Sequence, residues 1–205
     1  MPSRDHRVDP REVPIAVSSR HVHLSPADHD ALFGSGHILT VRHEVTQPGQ
    51  FACIESVTIV GPRNVLERVA IVGPLRAQTQ VELSRTDAIH LGVEVPVRES
   101  GHLKGTPGLT LQGPHGSVRL DHGLIVALRH LHATPADADR LGLCDGDLIA
   151  VHVNGPRAVT FEDVVVRVSS DFRLDLHLDT DEANAAGIEH GGTGTVGPGS
   201  RSTPR

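Results

Sequence analysis

The sequence predicts a mainly β protein: two small β-barrel domains related by internal duplication, each capped by short α-helices. Three observations carry this. Arg20–Asp28 (RHVHLSPAD) and Arg129–Asp137 (RHLHATPAD) share Arg, both His, Pro, Ala and Asp in register. Further landmarks then recur in the same order: Gly61-Pro62-Arg63-Asn64-Val65 returns as Gly155-Pro156-Arg157-Ala158-Val159, and Val81-Glu82-Leu83-Ser84 as Leu176-His177-Leu178-Asp179. Finally, the chain has no Trp or Tyr and only 4 Phe, so its core must come from Val, Leu, Ile and Ala. Their short runs, punctuated by Gly and Pro, suit pleated strands better than long helices.

Each copy reads alike. An apolar strand leads in, Val13 to Val17 and Leu124 to Leu128. The His-x-His continues it, so His21 and His23 share one face, as do His130 and His132, because strand side chains alternate. A short helix follows: Ser25 and Thr134 are N-caps, Pro26 and Pro135 occupy the first turn, and Gly34 and Gly142 end it. Strands resume at 56–60, 68–72 and 80–83, and at 147–153, 164–168 and 174–178. The first copy carries an insertion around 34–52. The implied organisation is a flexible N-terminus (1–12), a first barrel (13–93) whose strands could exchange with the second, a Gly/Pro-rich bridge (94–120), a second barrel (121–190) and a disordered tail (191–205).

Composition excludes several classes. A net charge of -6 argues against nucleic-acid binding. No apolar run is long enough to span a membrane. Cys53 and Cys144 form no C-x-x-C pair, which indicates a reducing compartment and two buried thiols. The charged start lacks a signal sequence, so a cytoplasmic location is expected. There is no P-loop, dinucleotide fingerprint or nucleophile elbow.

The chemistry lies in the 15 His. His21, His23 and Glu82 form one candidate triad. His130, His132 and His177 form the other, with His177 where the first copy has Glu82. Imidazole and carboxylate are zinc ligands, and three protein ligands leave one position open. A lone His-x-His is more often ordinary packing; two copies, each with a third ligand at a matching place, favour metal. A cupin-like barrel also uses His-x-His, but needs a Glu shortly after it, and the first after His23 is Glu44. Arg76 emerges behind an apolar strand and could grip phosphate through its guanidinium fork. Arg20 and Arg129 should face away from the histidines. Gln47-Pro48-Gly49-Gln50 reads as a surface turn, and Asn184 sits in a short helix that opens after the His177 strand. A zinc hydrolase and a non-catalytic metal-binding barrel remain open on these residues alone.

The stretches SSRHVHLS, QPGQFA, GPLRAQTQVELSRTD, SGHLKGTPG, ALRHLHATP and LHLDTDEAN resemble the phosphate propanoyltransferases, the PduL-type phosphotransacylases, from about Pro14 to Asn184. The resemblance implies two β-barrel domains, a dinuclear zinc site (two zinc ions per chain) and exchange of phosphate with the CoA of acetyl- or propanoyl-CoA. It implies that His21, His23 and Glu82 hold one zinc and His130, His132 and His177 the other. Arg76 matches the active-site arginine. Ser18, Arg42, His43, His177 and Asn184 match the region that holds CoA. Partners are acyl-CoA or CoA and phosphate or acyl phosphate, with neither nucleic acid nor membrane; a homodimer is compatible with this. Members of bacterial microcompartments carry an amphipathic N-terminal segment, and Met1 to Glu12 lacks that periodicity.

Overall fold

The computed structural model describes residues 10–197. Most of the expected flexible N-terminus, and the end of the expected tail from residue 198, lie outside the described residues.

In chain order, β1 (Glu12–Ser18) and β2 (His21–His23) lead into α1 (Pro26–Phe33), followed by β3 (Val41–Glu44), β4 (Phe51–Val60), β5 (Val65–Gly73), β6 (Gln80–Leu83) and α2 (Arg85–Leu91). After β7 (Val97–Arg98), β8 (Thr110–Gln112) and β9 (Ser117–Arg119) come β10 (Leu124–Ala127), β11 (His130–Ala133), α3 (Pro135–Leu141), β12 (Leu148–Val153), β13 (Val159–Val168), β14 (Asp175–Asp179), α4 (Thr180–Ala186) and β15 (Gly192–Val196). The fold is mainly β, with four short helices among the described residues, as the repeat pattern predicts.

The chain divides into two units, each with its own apolar core. The first, residues 18–128 with 179–181, is a curled nine-stranded sheet in the order β7-β10-β6-β2-β5-β4-β8-β9, with β3 on β4. The second is a closed barrel, β1-β14-β11-β13-β12-β15. The duplication is legible in the registers. In the first unit His21 faces Glu82 antiparallel and Ala70 parallel; in the second His130 faces His177 and Val165 in the same two senses. Two residues before each parallel partner, Arg68 (φ 53°) and Asp163 (φ 54°) take the left-handed conformation. That costs roughly 1 kcal/mol in a residue bearing a Cβ, so both copies keep the same strained bend.

Val22 and Leu131, the central residues of the two His-x-His stretches, are fully buried. Each burial stabilises its strand by about 1.5–3 kcal/mol and turns the flanking imidazoles to the opposite face. Ser25 and Thr134 cap α1 and α3 by accepting from the backbone N–H of Asp28 and Asp137. Gly142 ends α3 left-handed, whereas Gly34 leaves α1 with ψ 146° and sends the chain into the insertion that builds β3.

Strand exchange, left open by the sequence, takes a definite form, and two boundaries differ from the sequence reading. The lead-in strands are exchanged: β10 runs parallel to β6 (Ile125 opposite Glu82), and β1 joins β14 and β15. The bridge is part of the first sheet, where β8 pairs with β4; its buried Leu109, Leu111 and Leu120 supply apolar anchors despite the Gly and Pro around them. The start of the expected disordered tail is β15, which pairs with both β1 and β12. Its central glycine answers to close packing: a Cβ on Gly194 would lie 2.7 Å from Val151 Cγ1.

Candidate metal centres and active site

The first triad is built by three adjacent strands. β2 lies between β5 and β6, so His21 and His23 share a face with Glu82 across the ladder. His21 Nδ1 donates to the Ser19 carbonyl at 2.8 Å, and His23 Nδ1 to the Val72 carbonyl at 2.9 Å. Those bonds fix the tautomer and leave a lone pair on each Nε2. The two Nε2 atoms stand 3.1 Å apart, with Glu82 Oε2 3.6 Å from His21 Nε2 and Glu82 Oε1 3.9 Å from His23 Nε2. Two lone pairs and a carboxylate converge with no proton to share, an arrangement that a cation relieves. Tetrahedral zinc, with Zn–N of about 2.0–2.1 Å, would set its nitrogens about 3.3 Å apart, so the donor set fits such an ion. Burial, followed by the nearby His21 and Arg76, lowers the His23 pKa to about 3 against the opposing pull of Glu82, keeping the ring in its neutral, ligating form.

The second triad repeats the plan with a third imidazole. His130 Nε2 and His132 Nε2 are 3.0 Å apart, and the His177 ring lies 5.0 and 4.8 Å from the two rings, centre to centre. Burial, then His130, His177 and Arg167, brings the His132 pKa down to about 2. His132 Nδ1 is buried without a hydrogen-bond partner, against the Phe172 ring 4.2 Å away. Asp175, two residues before His177 on β14, approaches His177 Nε2 to 3.6 Å. In both triads the potential ligand atoms lie within 4.8 Å of one another.

Around Glu82 stand residues that the sequence reading did not single out. Gln80 Nε2 donates to Glu82 Oε1 at 2.6 Å and to Ser100 Oγ at 2.8 Å, while Ser100 Oγ donates to Glu82 Oε1 at 3.1 Å. Arg76 Nη1 donates to the same Ser100 hydroxyl at 3.3 Å, and Gly101 N–H donates to Gln80 Oε1 at 2.8 Å. One carboxylate oxygen is thus held by Gln80 and Ser100, Oε2 is turned toward His21, and Arg76 is tied into the same network. Strand alternation could have flagged Gln80, since it shares a face with Glu82; Ser100 comes from a distant loop and gives no such signal.

Arg20 and Arg129 do point away, as expected. Arg20 pairs with Asp87 at 3.1 Å and Arg129 with Glu182 at 2.9 Å, each carboxylate five residues beyond the third ligand of its triad. Ser18 ends β1, half-buried; Arg42 and His43 are exposed on β3; Asn184 is exposed on α4. Ser18, Arg42 and His43 fall in the first unit, and His177 and Asn184 in the second. Two expectations are corrected: Gln47 is buried instead of lying on a surface turn, because the hairpin between β3 and β4 folds it inward, and Cys144 is exposed in the turn before β12.

A family model for phosphate propanoyltransferase matches residues 14–189. The phosphate propanoyltransferase of Thermotoga maritima is 52% identical over 178 residues, covering 86% of this chain and 85% of its own. That of Listeria monocytogenes is 49% identical over 184 residues (90% and 86%), and that of Salmonella typhimurium 48% over 191 residues (92% and 90%).

Proposed function

Because the chain belongs to the phosphate propanoyltransferase family, we propose that it interconverts a short-chain acyl-CoA (acetyl or propanoyl) and inorganic phosphate with acyl phosphate and free CoA, with one zinc ion held by each triad. The observation that carries the reading is the pair of facing Nε2 lone pairs of His21 and His23, 3.1 Å apart beside Glu82, with Arg76 joined to that same carboxylate through Ser100.

Arg76 binds the phosphate dianion through its guanidinium fork and offsets the charge that grows on the transferring oxygens. Ser100 fixes the guanidinium, and Gln80 and Ser100 hold Glu82 Oε1 so that Oε2 is turned toward His21, where the metal would sit. A phosphate oxygen attacks the thioester carbonyl, the carbon–sulfur bond breaks, and the thiolate leaves as CoA. Zinc, when bound, supplies Lewis-acid polarisation of the carbonyl and stabilisation of the departing sulfur. Ser18, Arg42, His43, His177 and Asn184 are assigned to the CoA side. Transfer is direct, because no side chain is required as a covalent acyl carrier.

Two measurements test this. Metal analysis should find close to two zinc ions per chain, and metal-free protein with full activity would remove the site. Arg76→Ala should keep zinc and fold yet lose phosphate-dependent CoA release by roughly a hundredfold or more, the scale on which one charge-stabilising donor acts. CoA release that ignores added phosphate would convert the reading to a thioester hydrolase.

A further inference from the structure

The loop that tethers Glu82 has a second face. Ser100 and Gly101 bind inward to Glu82 and Gln80, while Arg98 and the run from Gly101 to Thr106 wall a cavity of about 810 Å³ together with Gln78, Asp121 and His122. The loop is pinned at its far end as well: buried Thr106 donates through Oγ1 to the Leu103 carbonyl at 2.7 Å and accepts from Gly123 N–H at 2.9 Å. Between these anchors, exposed Lys104 and His102 face the cavity.

The wall is cationic in a chain of net charge -6. Lys104, the only lysine in the sequence, makes no ion pair among the described residues. The Arg98 guanidinium donates to the Val97 carbonyl and meets no carboxylate among the described residues. Asp121 is the one acidic side chain in the wall; Glu99, 3.9 Å from His102, lies outside it. Such a pocket concentrates anions. It is also continuous in sequence with the arginine site. Gln78 lies two residues beyond Arg76, and Gly101 follows the serine that Arg76 contacts.

We propose that this cavity collects the phosphate-bearing substrate, inorganic phosphate in one direction and acyl phosphate in the other, before it reaches Arg76. The inference rests on the transacylase reading. CoA also carries phosphates, so the assay must separate the two sources.

The test compares the full-length zinc-loaded protein with an Arg98→Ala/Lys104→Ala double variant. KM for phosphate and for acetyl phosphate should rise roughly three- to tenfold, with the difference shrinking as salt increases toward about 0.5 M. KM for acyl-CoA, kcat and zinc content should stay within twofold, and Lys104→Arg should restore most of the phosphate KM. An unchanged phosphate KM, or a rise confined to acyl-CoA, overturns the proposal. If the unmodified protein shows no phosphate-dependent turnover, the transacylase reading fails instead. Calorimetric titration with inorganic phosphate then decides the cavity alone: weaker binding by the variant keeps it, and equal binding ends it.

Discussion

Ser100→Ala removes a junction. Its hydroxyl gives one bond, to Glu82 Oε1 at 3.1 Å, and accepts two, from Gln80 at 2.8 Å and Arg76 at 3.3 Å. The consequences are unequal. Glu82 keeps the 2.6 Å bond from Gln80, so its carboxylate is not orphaned. The Arg76 contact is long for a hydrogen bond and contributes mainly direction. A hydrogen bond to a charged group is worth about 1.5–3 kcal/mol; with Gln80 still in place the lower end applies, about 1.5 kcal/mol, or roughly tenfold in rate. The assay is steady-state CoA release at varied phosphate, alongside zinc content and urea midpoints. We expect kcat/KM for phosphate to fall about tenfold, with zinc retained and KM for acyl-CoA unaltered. Ser100→Thr, which restores the hydroxyl, should recover part of the loss. A wild-type kcat/KM in Ser100→Ala would refute the tether. So would an equal loss in both the Ala and Thr variants, since that would mark the loop as merely structural.

Other outcomes follow from the same geometry. Glu82→Gln should lower bound zinc from two ions per chain to one, read by metal analysis, because the amide replaces the only anionic donor of the first triad; retention of both ions would remove Glu82 as a ligand. The metal-stripped protein should lose stability on acidification. His23 and His132 have folded pKa values of about 3 and about 2, below the unfolded value near 6.5. The unfolded chain therefore takes up protons first. Stability is complete above about pH 6.5 and declines as pH falls toward those folded values, by up to about 1.4 kcal/mol per pH unit for each ring. Urea midpoints that stay flat from pH 7.5 to 5 would contradict it. Gly194→Val should destabilise the barrel by about 1–3 kcal/mol, measured by thermal melting, because its Cβ would collide with Val151; an unshifted melting curve would show that β15 yields easily.

What the sequence made legible was whatever depends on local spacing. The two His-x-His strands, the Ser25 and Thr134 caps and the alignment of Glu82 with His177 all rest on alternation or on nearest-neighbour chemistry, and the ladders place them in equivalent registers. Contacts between distant segments were hidden. Nothing near Val13 or Leu124 states which sheet each strand will enter, since both are equally apolar. The Gly192–Val196 strand read as disorder because glycine required by close packing looks the same, in composition, as glycine in a flexible chain. Ser100 was invisible for a related reason: its meaning comes from Glu82 and Arg76, and only the folded loop brings it to them.

The exchange of lead-in strands also sets an order of events for the growing polypeptide. Val13 and Ile15 leave the ribosome long before their ladder partners Gly194 and Gly192 are made. Until then a buried-type strand has one edge without its mate, and the barrel cannot close. Non-local pairing of this kind slows folding and leaves apolar edges exposed to other chains. A truncation that removes β15 should therefore harm the protein from both ends, stranding β1 as well as deleting a strand. Nor can cutting between the copies liberate two intact modules, because each half would carry away a strand that the other needs.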